Sequence, residues 1–393
     1  MSRDALFRAL TLAYLEARRF KRWKTNTLQL SVRGERNLRA LSKKIIDRCY
    51  FIKPNLCFVS FSPVKREIFA GDFQDRVVHH LVFQIINPFY NKLFINDCYS
   101  CRQERGTSYG IKRAAYFMRA SSKNFKRPAY VLKLDISGYF MNIDQRKLYQ
   151  KNKILIERFF KQDQATTNLL LYLIKKIIFN DPTKNCHLRG SLQDWQGLPK
   201  NKSLFFAAPG KGLPIGNLTS QLFGNVYLND FDHFVKEKLK CRYYGRYVDD
   251  LFFCSHDKEF LKSLIPKIKK YLKNKLDLDL HPKKIYLQDC KRGVNFLGAF
   301  IRSGKIYAGK RIKRNFYQAI DEALNNTESK VNFFNSYLGM LKDKHTYKLR
   351  RQIMTSSKTQ ALLKRAGLAV DKNFERVYSS GEIKELKSRS IKI

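Results

Sequence analysis

At 393 residues the chain is long enough for two or three lobes around at least one substantial core, which excludes an isolated peptide-like binding motif. Its 77 Lys and Arg against 33 Asp and Glu give a formal net charge of +44, far more than solubility requires, so a polyanion is expected nearby. Nucleic acid is the obvious one, although a ribosome-bound or membrane-surface protein can be equally basic; the 44% apolar and 13% aromatic content excludes a disordered basic tail. The opening MSRDALFRALTLAYLEARRF carries charge throughout, and nowhere do about 18 apolar residues run together. A soluble, cytoplasmic protein with no membrane partner is therefore expected. Eight cysteines include one Cys-x-x-Cys, Cys98 to Cys101, with no second pair to complete a zinc site, so reduced structural thiols are expected.

Leu6, Leu10, Ala13, Tyr14 and Ala17 recur at helical spacing, as do Leu38, Leu41, Ile45 and Cys49, which predicts two amphipathic helices in an extension over residues 1–50. Cys57-Phe-Val-Ser-Phe61 and Arg66-Glu-Ile-Phe69 read as strands of a hairpin around Pro63, and Phe73 to Ile86 as a helix stopped by Asn87-Pro88. Val131-Leu-Lys-Leu-Asp135 alternates: Leu132 and Leu134 face one side, Lys133 and Asp135 the other, so a carboxylate ends the strand on its open face. Residues 164–179 form an apolar helix, and Asn180 to Pro214, punctuated by Gly and Pro, reads as a long loop. Asn217 to Leu239 is helical again. Tyr243 to Cys254 reads as two strands joined by a tight turn carrying Asp249 and Asp250. A helix near 258–275, interrupted by Pro266, leads to short strands around Ile285 and Phe296, and from about Ala308 the chain is helical, basic and poor in strand signals. The expected division is 1–50, 51–307 and 308–393.

Two acidic clusters at strand edges are what two-metal phosphoryl or nucleotidyl transfer requires, with carboxylates converging on hard cations about 3.5–4 Å apart. An Asp-Asp pair in a turn is by itself an ordinary solvated feature. Tyr247-Val-Asp-Asp250, between β-forming flanks and downstream of the strand-terminal Asp135, matches a polymerase palm in order and spacing.

The chain thus resembles the reverse transcriptase family, from about Phe51 to about Arg351. Asp135-Ile-Ser-Gly-Tyr-Phe140 resembles motif A and Tyr247-Val-Asp-Asp250 the YxDD box of motif C. The resemblance implies an α+β right-hand polymerase fold, with fingers and palm over 51–307 and a helical thumb and basic tail over 308–393. It implies metal binding by Asp135, Asp249, Asp250 and the main-chain carbonyl of Ile136, holding two Mg2+ ions with Mn2+ as the substitute. Phe140, five residues beyond Asp135, falls where the family places a steric gate under the nucleotide sugar; the plainer reading is that Tyr139 and Phe140 plug the fingers–palm junction. Lys65, Arg66 and Arg76 are candidates for the triphosphate, though in so basic a chain each can equally be a surface charge. Lys284 resembles the motif D lysine that protonates departing pyrophosphate, with Lys283 one residue away. His79 and His80 have no spaced partners and are expected to pack or cap. Phe296-Leu-Gly298 resembles the primer grip, and Lys310-Arg-Ile-Lys-Arg314 with the helices after it suits a thumb around an RNA–DNA duplex.

Gly212-Leu-Pro-Ile-Gly-Asn-Leu-Thr-Ser-Gln221 resembles motif B, but Ile215 and Gln221 stand where common reverse transcriptases have Gln and Pro. Ile-Gly-x-x-x-Ser-Gln is instead the pattern of reverse transcriptases of diversity-generating retroelements, as are Arg66-Glu-Ile-Phe-Ala-Gly-Asp-Phe73, Asp75-Arg-Val-Val-His-His80 and Ser336-Tyr-Leu-Gly339. That resemblance implies a bacterial or phage-encoded enzyme that copies a structured template-repeat RNA into cDNA from dNTPs. It implies errors opposite adenine, a nucleotide site that includes Ile215 and Gly216, and a small, basic, oligomeric accessory protein as partner. The alternatives are a related reverse transcriptase in phage defence and a catalytically inactive RNA-binding scaffold, the latter disfavoured by three intact carboxylates.

Overall fold

The computed structural model describes residues 2–19, 25–61, 64–161, 163–325, 333–342, 344–379 and 382. In chain order the helices are α1 (Arg3–Arg18), α2 (Thr25–Ser31), α3 (Gly34–Ile46), α4 (Phe73–Leu93), α5 (Gly106–Ser121), α6 (Tyr139–Asn142), α7 (Gln145–Phe159), α8 (Gln164–Ile178), α9 (Leu218–Tyr227), α10 (Asn229–His233), α11 (Lys258–Tyr271), α12 (Lys310–Asn325), α13 (Phe333–Lys342), α14 (Tyr347–Met354) and α15 (Ser357–Arg365). The strands are β1 (Asn55–Ser60), β2 (Arg66–Ala70), β3 (Tyr130–Asp135), β4 (Cys186–Leu188), β5 (Tyr243–Tyr247), β6 (Asp250–Ser255), β7 (Tyr286–Asp289), β8 (Val294–Phe296), β9 (Ala299–Arg302), β10 (Lys305–Ala308), β11 (Leu368–Val370) and β12 (Val377–Ser379). The chain forms two compact units, one from the described parts of Met1–Gly106, Lys133–Leu251 and Lys262–Ile285, the other from those of Thr107–Leu132, Phe252–Leu261 and Tyr286–Ile393.

In the first unit, the residues of α1 expected on one face, Leu6, Leu10, Ala13, Tyr14 and Ala17, are all buried. They pack toward α4, where the Tyr14 and Phe73 rings meet edge to face at 6.0 Å. Each such apolar side chain taken from water contributes about 1.5–3 kcal/mol. The N-terminal stretch holds three helices rather than two, because the polar link contains the short α2, and Cys49 lies beyond the end of α3 and is exposed. β1 and β2 pair antiparallel, Cys57 opposite Phe69, as the alternation predicts; the expected turn residue Pro63 lies outside the described residues. The end of β3, Lys133–Asp135, and the start of β6, Asp250–Leu251, which carry the acidic clusters, belong to this unit, and β3 and β6 are neighbours in the strand order β5–β6–β3–β7.

Three expectations are corrected. α4 does not stop at Ile86 but runs through Pro88 to Leu93. An interior proline costs about 3 kcal/mol, and the last turns offset it by burying Tyr90, whose hydroxyl donates to Asn152 at 3.0 Å, and by packing Phe89 against Phe159 and Phe160. α11 likewise continues through Pro266, its apolar stripe outweighing the lost hydrogen bond. Asn180 to Pro214 is not a bare loop: β4 pairs parallel with β1, and short 3-10 turns cover Leu192–Trp195, Lys200–Lys202 and Leu204–Phe206.

In the second unit, Phe316, Phe334, Leu338, Leu341, Ile353 and Leu362 of α12–α15 form one core, with Phe316 stacked on Tyr337 at 4.8 Å. The stretch after Ala308, expected to be helical and poor in strand signals, also contains the hairpin β11–β12. Its three-residue strands are too short for any alternation to register in sequence. Phe296 is buried against Phe252, a core contact at 4.7 Å. No helix among the described residues is long and apolar enough to cross a membrane.

Candidate active site

β3 ends at Asp135, and the β5–β6 turn delivers Asp249 and Asp250 next to it, with the Ile136 amide donating to the Asp249 carbonyl at 3.3 Å. The other side of the Asp135 stretch is clamped by main-chain bonds from His281 to Asp135 and from Ser137 to Asp279, each 2.8 Å. Val248 opens the turn at φ +56°, a left-handed conformation that a β-branched residue adopts only when its surroundings force it.

What forces it is Arg246, which sequence reasoning missed. Its guanidinium is 0% exposed and donates to the Val248 carbonyl at 2.9 Å, while Nε and Nη2 bind the carboxylate of Asp232, itself fully buried, at 2.6–3.0 Å. The Tyr244 hydroxyl donates to the same carboxylate at 2.6 Å, and Asn225 takes a further guanidinium bond at 3.3 Å. Asp232 in turn holds the Arg246 guanidinium firmly protonated against the cost of burial. The signal available in sequence was one arginine inside an otherwise uncharged strand and an acid one helix upstream, with nothing local to join them.

The three carboxylates feel one another. Burial, then the charges of Asp250 and Asp135, push the Asp249 carboxyl up to about 7. Asp250 is raised by burial as well, with Lys133 and Arg66 countering. Lys133, which strand alternation puts on the face of Asp135 but which was not named as a site residue, is lowered by burial, with Asp250 and Asp135 countering. Lys284, one of the two motif D candidates, reaches Asp135 Oδ2 with its ammonium at 2.8 Å. Among the described residues no three His, Cys, Asp or Glu side chains close into a ready ion cage. The donor set still suits hard divalent ions, which keep waters and substrate phosphate oxygens and take only one or two protein carboxylates each. The raised Asp249 and Asp250 carboxyls, crowded beside Asp135, are relieved by added positive charge.

Of the nucleotide-site candidates, Phe140 and Ile215 come together, both packed against the cluster of Cys57, Phe69, Met141 and Leu204. Tyr139 is buried with its hydroxyl on the Gly224 carbonyl at 2.5 Å, while Phe140 stays half-buried. The Ile215 carbonyl accepts from the Phe69 amide at 2.8 Å. Gly216 follows at φ +126°, where a Cβ would lie 2.7 Å from the Phe69 carbonyl, so only glycine lets motif B pass this close to β2. Arg66 is exposed, its charge felt by Asp250 and Tyr247. Lys65 is bonded to the Gln196 carbonyl at 2.6 Å. Arg76 is half-buried with Nε on the Gly71 carbonyl at 2.8 Å, beside the start of its own helix and not gathered with the acids. His79 is a core residue, as expected: its Nδ1 meets the Thr219 hydroxyl at 2.7 Å and burial lowers its pKa to about 4.

The family described as reverse transcriptase (RNA-dependent DNA polymerase) matches residues 65–301, which span β2, the three aspartates, motif B and Lys284. The chain belongs to the reverse transcriptase family. This reverse transcriptase has the α+β right-hand polymerase fold, with the acids on its palm sheet, and its domain is that of an RNA-directed DNA polymerase. Solved structures similar to it include telomerase from Candida albicans in complex with the TWJ fragment of telomeric RNA (14% identity, TM-score 0.46, covering 86% of this chain and 58% of that one). Apo telomerase from Candida tropicalis is also similar (15% identity, TM-score 0.44, 80% and 57%), as is its form truncated from the C-terminal domain (13%, 0.43, 68% and 58%). The chain spans somewhat under three fifths of the length of these telomerases. No curated protein matches it.

Proposed function

We propose that this reverse transcriptase copies a structured template-repeat RNA into cDNA by two-metal nucleotidyl transfer, with frequent errors at template adenines, as part of a diversity-generating retroelement. The observation that carries the polymerase chemistry is the meeting of Asp135, Asp249 and Asp250 at adjoining strand ends, where Asp249 is pushed up to about 7. These carboxylates, with the Ile136 carbonyl, would hold two Mg2+ ions, or Mn2+ in their place. Such ions would supply positive charge that lowers the pKa of the primer hydroxyl and offsets charge on the leaving phosphate oxygens. Lys284 serves as the proton donor to pyrophosphate, released from Asp135 when the acids are otherwise neutralised. Phe140 stands as the gate under the sugar, and Arg66 and Lys65 face the triphosphate. The fingers and palm occupy 51–307 and the thumb and tail 308–393.

The subtype reading rests on Ile215 and Gln221 within motif B, and in it Ile215 contributes to the errors, because its apolar side chain packs on the Phe69 cluster and cannot make the polar contact a glutamine would. The proposed partners are the template RNA and its cDNA, dNTPs, and a small, basic, oligomeric accessory protein, in a bacterial cytoplasm. The test is to supply the purified chain, with and without its cognate RNA and accessory protein, with Mg2+ and dNTPs and to sequence any cDNA, using Asp249→Asn as control. Errors concentrated at template adenines are expected. Faithful or template-free DNA removes the retroelement role, and adenine errors unchanged by Ile215→Gln remove that residue's part in it.

A further inference from the structure

The segment from Cys186 to Phe206 touches the nucleotide site in four places. The Asn201 carbonyl lies where a Cβ on Gly138 would be 2.7 Å away, and Gly138 sits at φ +53°, three residues after Asp135. Asn201 Nδ2 also reaches the Ser137 hydroxyl at 3.5 Å. Leu204 and Trp195 belong to the cluster on which Phe140 and Ile215 pack. The Gln196 carbonyl holds the Lys65 ammonium. The backbone after Asp135, the sugar gate, motif B and a triphosphate cation therefore share one support.

That support is set from β2. Glu67, 1% exposed, accepts from Trp195 Nε1 and the Ser203 hydroxyl on Oε2, each 2.8 Å, and from the Leu204 amide on Oε1 at 2.6 Å. All three donors come from this segment, so a buried carboxylate that must be satisfied dictates where the segment lies. Leu192 and Phe206 stay 76% and 61% exposed, so apart from Leu204 and Trp195 the apolar side chains of the segment add little to the fixing. We infer that Glu67 is a positioning residue that holds residues 195–204 as a wall of the nucleotide site, and that through this wall it sets selection of the incoming deoxynucleotide rather than the rate of transfer. The inference rests on the polymerase reading above.

The test uses the full chain as wild type, Glu67→Gln, Trp195→Phe and the double variant, with circular dichroism to show that each is folded. Single-nucleotide incorporation on a primed template RNA gives kcat and KM for dNTP and for the matching ribonucleotide, and hydrogen exchange follows the amides of 195–206. Glu67→Gln is expected to raise KM for dNTP on the order of tenfold, the worth of a hydrogen bond to a charged group. Discrimination against the ribonucleotide falls, kcat stays within about threefold, exchange over 195–206 quickens, and the double variant is no worse than Glu67→Gln. Unchanged KM and discrimination despite faster exchange, a fall in kcat alone, or additive losses in the double variant overturns the inference while leaving the polymerase in place. A wild-type chain that incorporates nothing with Mg2+ or Mn2+ overturns the polymerase reading and this inference with it.

Discussion

Arg246→Met removes the cation from a pair in which both side chains are 0% exposed. Asp232 keeps the Tyr244 hydroxyl but loses the guanidinium bonds at 2.6–3.0 Å, and its charge is left in apolar surroundings. Breaking a buried pair from one side costs about 3–5 kcal/mol. The Val248 carbonyl loses its donor as well, which adds about 1 kcal/mol and frees a residue held at φ +56°. Urea unfolding should therefore lose roughly 4–6 kcal/mol. Adding Asp232→Leu removes the orphaned charge, and most of the stability is expected back, because apolar replacement of a buried pair is often neutral. The turn, however, stays unsupported, so the double variant folds yet incorporates nucleotide about a hundredfold more slowly, the penalty for misplacing a catalytic group by about 1 Å. A single variant that loses under about 1 kcal/mol, or a double variant that polymerises like wild type, refutes the argument that this pair holds the turn.

Asp249→Asn should reduce incorporation by about three orders of magnitude while raising metal-free stability at pH 8 by about 1–2 kcal/mol, because it removes an acid that burial and neighbouring acids push up to about 7; thermal unfolding in a chelator reads the gain. Gly216→Ala forces a Cβ to within 2.7 Å of the Phe69 carbonyl at φ +126°, and a loss of about 1–3 kcal/mol with a raised KM for dNTP is expected from denaturation and steady-state kinetics. His79, with a folded pKa lowered to about 4 from 6.5, stays neutral when the unfolded chain would protonate, so its stabilisation is whole above pH 6.5 and is lost as pH falls toward 4. The contribution is roughly 3 kcal/mol, and His79→Asn should flatten urea stability between pH 4 and 6.5 by about that much.

What sequence could reveal follows from how local each feature is. Asp135 was legible because Leu132 and Leu134 alternate with Lys133 and Asp135 on one strand, and Asp249-Asp250 because β-forming residues flank the pair on both sides. The β1–β2 hairpin was legible for the same reason. Pro88 and Pro266 misled, because a local helix-breaking rule is overruled by packing such as that of Phe89 and Tyr90. Arg246 with Asp232, and Glu67 with Trp195, Ser203 and Leu204, were not legible at all. Each depends on a partner at a distance that no periodicity records, and a charged residue in a strand reads as surface until its counterpart is seen.

The parallel pairing of β1 with β4 bears on synthesis. Cys57 leaves the ribosome roughly 130 residues ahead of Leu188, which at about 5–20 residues per second is a wait on the order of 7–26 s. During that interval the far edge of the β1–β2 hairpin has no neighbour, and an open strand edge readily recruits another chain. The Phe69 amide waits longer still for the Ile215 carbonyl. Yield of this protein should thus depend on nascent-chain crowding and holdase chaperones more than its finished packing would indicate, and slower expression at low temperature is the practical remedy.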